Sequence, residues 1–390
     1  MNKYWTPEIA EGVNAVGVRD PHRRLFDALI PLPQGTTYNC YLVKGSEGTA
    51  LIDTVNPGFE KELLAKVDSL SVGEVDYVVM NHAEPDHAGA IPEVMERYPE
   101  ARLVAGRQGA VLAKRYFGVS DERIIIVSDG ERLALGGKTL RFLETPMLHW
   151  PETIMTYLIE DRVLFSGDFF GTHTATGLFA SQVPEVIPFA QRYFGEIMMP
   201  FRSAGKSALK KVEDLEVSKI APSHGPMYAD PEIILEPYRK WTSGETVEKI
   251  LIVYVSMWGS TARMAEYLAD RLYSHGIEVA LHEMSSADLG DIARDLVDSR
   301  GIVLGSPTVL RGMHPLGTHA ANLVAALRPP AEYAAFIGSH GWSGGALKQA
   351  QEMLDPTGIE IVGAVDVQGP ATEEVLGEIE ALAHRLLQKL

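Results

Sequence analysis

The chain has a single cysteine, Cys40. That excludes an intrachain disulfide, a four-thiolate zinc or iron–sulfur centre, and a rubredoxin-type iron site. Any metal bound here has to be held by nitrogen and oxygen. The chain is also short of positive charge: 35 basic residues face 52 acidic ones, for a formal net charge of −17. Nucleic acid is therefore not expected as a partner, because phosphate binding needs a positive surface. No apolar run is long enough to span a bilayer, and the first residues, MNKYWTPEIAEG, lack the basic start and apolar stretch of a signal peptide. No membrane association is expected, and the expected location is the cytoplasm.

At 390 residues with 46% hydrophobic composition, the chain is globular and too long for one ordinary core. Up to about residue 245, short apolar runs separated by turn residues predict strands at Tyr38–Val43, Thr49–Asp53, Tyr77–Met80, Leu140–Leu143, Thr156–Ile159 and Val163–Phe165, with helices such as Phe59–Leu70 and Ala90–Arg97. This is the pattern of a mixed α/β domain. Beyond Gly244 it changes to apolar strands alternating regularly with amphipathic helices. The strands are Ile250–Val255, Val279–Glu283, Gly301–Leu304, Ala334–Ile337 and Ile359–Ala364; the helices lie around Ala262–His275, Asp288–Ser299, Leu316–Leu327, Gly345–Leu354 and Thr372–Leu390. Such alternation implies a doubly wound parallel sheet covered on both faces. The expected domains are residues 1–246 and 247–390.

The densest chemical signal is Asn81-His82-Ala83-Glu84-Pro85-Asp86-His87, between the strand Tyr77–Met80 and a helix expected to start near Ala88. Four potential ligands in such a short loop cannot be buried together cheaply without a cation. Three further candidates hold matching positions. His149 is expected to end the strand running from Leu140, Asp168 follows Val163–Phe165, and His224 follows Lys219–Pro222. If these strands are neighbours, four imidazoles and three carboxylates meet at one edge of the sheets, where α/β proteins place ligands. That is more than a tetrahedral structural zinc needs, and it suits two metals with one bridging carboxylate. Taken singly, Asp86 is more simply a helix cap and His149 or His224 a structural histidine; the spacing of all seven points to metal.

This H-x-[EH]-x-D-H loop with a later His, Asp and His resembles the metallo-β-lactamase fold in motif order and spacing. In hydrolases of that fold the second ligand is usually histidine. Glu84 makes the set harder and more anionic, which favours iron over zinc. The H-x-E-x-D-H version resembles the flavodiiron proteins. The resemblance implies an αββα sandwich in which His82, Glu84 and His149 bind one iron, Asp86, His87 and His224 bind the other, and Asp168 bridges.

Three polar, glycine-rich loops are expected after the first, third and fourth strands of the second domain: Ser256-Met257-Trp258-Gly259-Ser260-Thr261, the stretch from Ser306 to Met313, and Ser339 to Gly345. The first leads into a helix, whose N-terminal N–H groups and hydroxyls can cradle a phosphate. It has no Gly-Lys-Ser/Thr, so it is not a nucleoside triphosphatase loop. All three lie at strand carboxyl ends flanking the switch point of a flavodoxin-like order. Serine and glycine are common turn formers, and one such loop alone carries little weight. Together they resemble a flavodoxin-type FMN site. In that reading Ser256, Met257, Gly259, Ser260 and Thr261 hold the phosphate, and Trp258 between them also belongs to the FMN site. Ser306, Pro307, Thr308, Gly312, Ser339, His340, Gly341, Trp342 and Gly344 enclose the ring.

His173, five residues after Asp168, is at a position where the family also carries histidine, either as a proton donor or as a structural neighbour of the metals. The family often has an aromatic pair with a tyrosine facing the metals; here it reads Tyr193-Phe194, and the hydroxyl is lost if the second position is the facing one. Relatives often read Arg-x-Phe-His-Gly near the N-terminus, where this chain has Arg24-Leu25-Phe26-Asp27-Ala28. His275, His282 and His384 are expected to be solvated.

The resemblance covers nearly the whole chain and implies an oxidoreductase. It would pass electrons from FMN to a di-iron centre and reduce dioxygen to water, nitric oxide to nitrous oxide, or both. The reduced donor would be a rubredoxin or a reduced deazaflavin coenzyme. The rivals are a binuclear zinc hydrolase with a flavodoxin-like appendage, and a redox sensor or carrier without metal. A head-to-tail homodimer, or a dimer of such dimers, is expected because two ligand edges on successive domains of one chain can lie too far apart for fast electron transfer. Trp150 is a candidate for that junction.

Overall fold

The computed structural model describes residues 4–390. The chain divides into two compact units. One runs up to Tyr193 and includes Phe201–Arg239; the other contains Phe194–Pro200 and Lys240–Leu390.

The first unit is built on two sheets. The seven-stranded sheet runs in the order Glu8–Ala10, Val13–Ala15, Tyr41–Lys44, Thr49–Ile52, Tyr77–Val79, Arg102–Gly106 and Ile124–Val127; the five-stranded sheet in the order Arg132–Ala134, Thr139–Glu144, Ile154–Leu158, Val163–Phe165 and Lys219–Ala221. Adjacent apolar residues on one strand point to opposite faces, and that explains why these strands are apolar throughout. Leu42, Leu51, Val78 and Leu103 pack against the helices with Leu63, Val67, Ile91 and Val94. Their neighbours Val43, Ile52, Val79 and Val104 pack against Phe142, Ile154, Val163 and Phe165 of the other sheet. The result is the αββα sandwich expected from the resemblance. The expected strand Tyr38–Val43 is broken in two, Thr36–Tyr38 and Tyr41–Lys44, because Asn39 leaves the ladder to donate from its backbone N to Ser223 O.

The second unit has five parallel strands in the order Glu278–Glu283, Val247–Tyr254, Ser299–Val309, Tyr333–His340 and Glu360–Gln368. Relative to the chain this is 2-1-3-4-5, the doubly wound flavodoxin order. Helices Ser260–Ser274 and Glu373–Leu387 cover one face through Met264, Leu268, Ile379 and Leu382. His282, expected to be solvated, is only partly exposed, and its Nε2 pairs with Asp295 Oδ2 at 2.8 Å. No helix among the described residues is long and apolar enough to cross a membrane.

Candidate functional site

Three of the seven metal-ligand candidates stand at the same offset beyond a strand. Residue 82 follows the strand ending at 79, residue 168 the strand ending at 165, and residue 224 the strand ending at 221. The last two strands are parallel neighbours with Phe165 opposite Ala221, so Asp168 and His224 emerge side by side. Asn81 ties the two sheets together just before His82. Its backbone N and Nδ2 donate to Asp53, Thr156 Oγ1 donates to its Oδ1, and Ile154 N donates to its carbonyl.

Two placements differ from expectation. The strand Thr139–Glu144 stops well before His149, which sits in the loop leading to Ile154–Leu158. The helix after the motif begins earlier than Ala88: Asp86 and His87 lie within the helical turn Pro85–Ala88, because Pro85 suits the first helical position. Neither change removes a residue from the cluster.

The seven groups form two sets around Asp168. His82, Glu84, His149 and Asp168 bring ligand atoms within 4.8 Å of one another, and so do Asp86, His87 and His224. Asp168 Oδ2 lies 3.5 Å from both His82 Nε2 and His149 Nε2; its Oδ1 lies 2.9 Å from His87 Nε2 and 3.5 Å from His224 Nε2. Glu84 Oε2 is 3.2 Å from His82 Nε2 and 3.0 Å from His149 Nε2, while Asp86 Oδ2 is 3.3 Å from His87 Nε2 and 3.2 Å from His224 Nε2. Ligand atoms about 2.1 Å from one ion are about 3.0 Å apart at a right angle and about 3.4 Å apart at the tetrahedral angle. The spacing fits two ions sharing Asp168. Both oxygens of Asp86, Asp168 Oδ1, and the Nε2 atoms of His87 and His224 are buried without a hydrogen-bond partner, the condition a metal relieves.

Charge complementarity holds these groups in the protein alone. Burial opposes charging of His87 and His149, but Asp86 and Asp168 around the first, and Asp168 and Glu84 around the second, raise both pKa values to about 10. Burial likewise opposes charging of His82, yet its bonds to Glu152 and Glu84 raise it to about 8. Glu84 drops to about 2 against the pull of burial because His149 and His82 donate to it.

His173 and Tyr193 adjoin the second set. The His173 ring lies 4.9 Å from that of His224 and 4.8 Å from that of Tyr193, and its Nδ1 is 3.0 Å from Thr36 Oγ1. Burial, with the His224 charge adding to it, keeps His173 neutral. Burial and then the Asp168 charge push the Tyr193 phenol up, so it retains its proton. Phe194 packs instead on Trp241, at 5.5 Å. The hydroxyl-bearing member of the pair is thus the one beside the cluster. Phe26, next to Asp27, packs on His173 at 5.0 Å, and the Asp27 carboxyl is raised by burial and by the charges of Glu84 and Asp86.

The groups behind the imidazoles carry no motif along the chain. His82 Nδ1 donates to Glu152 Oε1 at 2.8 Å, and Ala83 N donates to the same oxygen at 2.9 Å. His224 Nδ1 lies 2.6 Å from Thr37 O and 3.3 Å from Thr36 Oγ1. Glu152 lies three residues after a predicted ligand, and that proximity was the one available signal; Thr37 acts through its carbonyl and leaves none.

In the second unit the three expected loops take different forms. Ser256 follows its strand as expected, and its Oγ accepts from Gly259 N at 3.2 Å. Gly259 has φ +87°, which glycine takes without strain, and the helix starts at Ser260. Two of the hydroxyls assigned to phosphate are engaged with neighbouring segments: Ser260 Oγ donates to Gly369 O at 3.2 Å, and Thr261 Oγ1 lies 3.3 Å from Ser339 Oγ. The second loop is largely strand. Ser306, Pro307 and Thr308 continue Ser299–Val309, which folds back as a hairpin with Gly312–Met313, since Thr308 pairs with Met313. Ser339 and His340 likewise still belong to Tyr333–His340. Ser306 is buried, and its Oγ accepts from His314 N at 3.0 Å. Gly345 has φ +153°, and a Cβ there would come within 2.1 Å of Arg311 O. A fourth segment was missed: His340 Nδ1 lies 3.2 Å from Asp366 Oδ1, and Gln368 Nε2 donates to Gly341 O at 3.0 Å. Trp258, Leu310 and Trp342 are 91%, 98% and 90% exposed. Together with the Gly259 turn and the helix start, they fit a ligand with a phosphate end and a flat apolar ring.

A family profile described as ODP family beta lactamase matches residues 36–225, and a flavodoxin profile matches residues 252–383. The chain is 36% identical over 362 residues to a nitric oxide reductase of Moorella thermoacetica, with 91% of this chain and 90% of that protein covered. Its fold superposes with TM-score 0.95 on the rubredoxin oxygen:oxidoreductase of Desulfovibrio gigas, at 30% identity with 99% and 98% of the two chains covered. With the flavodiiron protein of Giardia intestinalis the TM-score is 0.93, at 30% identity and 99% and 97% coverage. The chain belongs to the flavodiiron protein family. As in other flavodiiron proteins, an αββα unit precedes a flavodoxin unit.

Proposed function

We propose that this flavodiiron protein is an oxidoreductase working with FMN and a di-iron centre, reducing dioxygen to water, nitric oxide to nitrous oxide, or both. The observation that carries the reading is Asp168, whose two oxygens face two separate sets of imidazole and carboxylate ligand atoms in a chain that also has a flavodoxin unit. In this proposal His82, Glu84 and His149 hold one iron, Asp86, His87 and His224 the other, and the residues from Ser256 to Thr261 anchor the FMN phosphate. Bound there, the iron pair would supply a site for the diatomic and the flavin a source of electrons. Asp168 keeps the two ligand sets at bridging distance. Glu84 adds negative charge that favours iron over the zinc of related hydrolases. Neutral His173 and protonated Tyr193 keep hydrogen-bond donors beside the His224 side of the cluster.

The division of labour proposed is residues 1–246 for the metals and 247–390 for the flavin, in a cytoplasmic head-to-tail homodimer. The proposed donor is a rubredoxin or a reduced deazaflavin coenzyme; the Desulfovibrio gigas structure is named for rubredoxin. The test is consumption of each gas by the iron- and FMN-loaded protein with an artificial reductant. Turnover of one or both gases is expected. Two zinc ions, no flavin absorbance and hydrolytic turnover would replace this reading with the hydrolase.

A further inference from the structure

The two ligand sets differ in what stands behind their imidazoles. Glu152 is 5% exposed, and its Oε1 accepts from both His82 Nδ1 and Ala83 N. The loop that carries His149 thus also braces a second ligand of the same set. In the other set, His224 Nδ1 meets the neutral carbonyl of Thr37, and His87 Nδ1 has no hydrogen-bond partner. The buried carboxylate of Asp53 acts on His87 through space, but it accepts from Asn81 and not from an imidazole, so it fixes no ligand tautomer.

We propose that Glu152 is a positioning residue that makes the two metal subsites electronically unequal, favouring the oxidised metal in the His82–Glu84–His149 subsite. A carboxylate accepting from Nδ1 fixes the tautomer that leaves Nε2 free for the metal and makes the imidazole a stronger donor. The extra negative charge sits in a low-dielectric wall, where it acts strongly on a nearby cation. A carbonyl behind His224 orients that ring without adding a charge. With the flavin of the proposed function as the one-electron donor, each iron would go from Fe(III) to Fe(II), and the subsite beside Glu152 would be the second to be reduced. The inference rests on the di-iron reading above.

The experiment loads wild-type protein and Glu152→Gln with 57Fe and titrates both with a chemical reductant at controlled potential, following Mössbauer and electron paramagnetic resonance spectra. Gln keeps the shape and an accepting oxygen but loses the charge. The mixed-valence state should be less favoured in the variant, its comproportionation constant falling at least tenfold, which is about 59 mV between the two one-electron steps. Two bound irons and an unchanged constant would overturn the inference while leaving the di-iron reading standing. Fewer than two irons in the wild type would instead overturn the di-iron reading, and this inference with it. If Glu152→Gln fails to hold both irons, Glu152→Asp, which keeps the charge, has to restore the iron and the wild-type separation; failure to do so also overturns the proposal.

Discussion

At the metal cluster, His82, Asp86, His87, Asp168 and His224 are buried, and Asn81, Glu152 and Thr37 hold the elements around them. At the flavin loops, Met257, Trp258 and Trp342 stand in solvent, and the side-chain bonds are few and mostly between neighbouring segments. The difference follows from what each ligand brings. A metal ion contributes charge but no surface, so the protein has to set every ligand atom to within a fraction of an ångström. A flavin contributes a large flat ring that can cover apolar side chains on arrival. One site is preset by packing, and the other leaves apolar side chains exposed for a ligand to cover.

The contrast should be broken most severely by Asp168→Asn, which removes the carboxylate charge shared by the two ligand sets. Loss of at least one iron and a fall in turnover of about 100-fold or more are expected, with FMN content unchanged by absorbance. Both irons retained with normal turnover would remove Asp168 from the centre. The converse variant, Ser256→Ala with Thr261→Ala, removes two of the hydroxyls proposed to anchor the FMN phosphate, and a hydrogen bond to a charged group is worth about 1.5–3 kcal/mol. FMN should dissociate at least tenfold more readily while iron content stays at two; loss of iron would mean that the two sites are not separable.

Acidity sharpens the same comparison. His82, His87 and His149, at about 8, 10 and 10, carry protons at neutral pH in the protein without metal, and metal uptake has to displace them. Raising the pH from 7 to 9 should tighten metal binding by about tenfold or more, and calorimetry in buffers of different ionisation enthalpy should detect proton release. FMN affinity over the same range is the reference, and an equal change there would erase the contrast. These raised values also stabilise the metal-free fold. Their contribution is fully present below about pH 6.5, the unfolded value, and is lost as the pH climbs through 8 to 10. The smallest effect belongs to Trp342→Ala. FMN affinity should fall about fivefold, since an aromatic contact is worth about 1 kcal/mol. Unfolding free energy should move by less than about 0.5 kcal/mol because the ring is exposed in the free protein; a larger destabilisation would show that the loop is preset after all.

Much of this was legible along the chain. Apolar strands buried on both faces announce themselves by composition, and a ligand placed just beyond each of several strands is a regular signal, as at His82, Asp168 and His224. The second loop of the flavin unit was harder to read. Ser306–Thr308 looks like turn sequence, but pairing of Thr308 with Met313 keeps it in the strand. His149 is likewise a candidate ligand by residue type, but its place in a loop rather than at a strand end is set by contacts on either side and not by its own pattern.

The order of the two units, the parallel sheet of the second and the seven side chains that gather in the first depend on residue type, periodicity and spacing, which the chain displays locally. Which oxygen of Asp168 faces which set, that Tyr193 rather than Phe194 stands beside the cluster, and that His82 is backed by Glu152 while His224 is backed by a carbonyl depend on the closed fold. Those are pairings between residues many positions apart. They arise when the sheets close on each other and bring into contact groups that share no pattern along the chain.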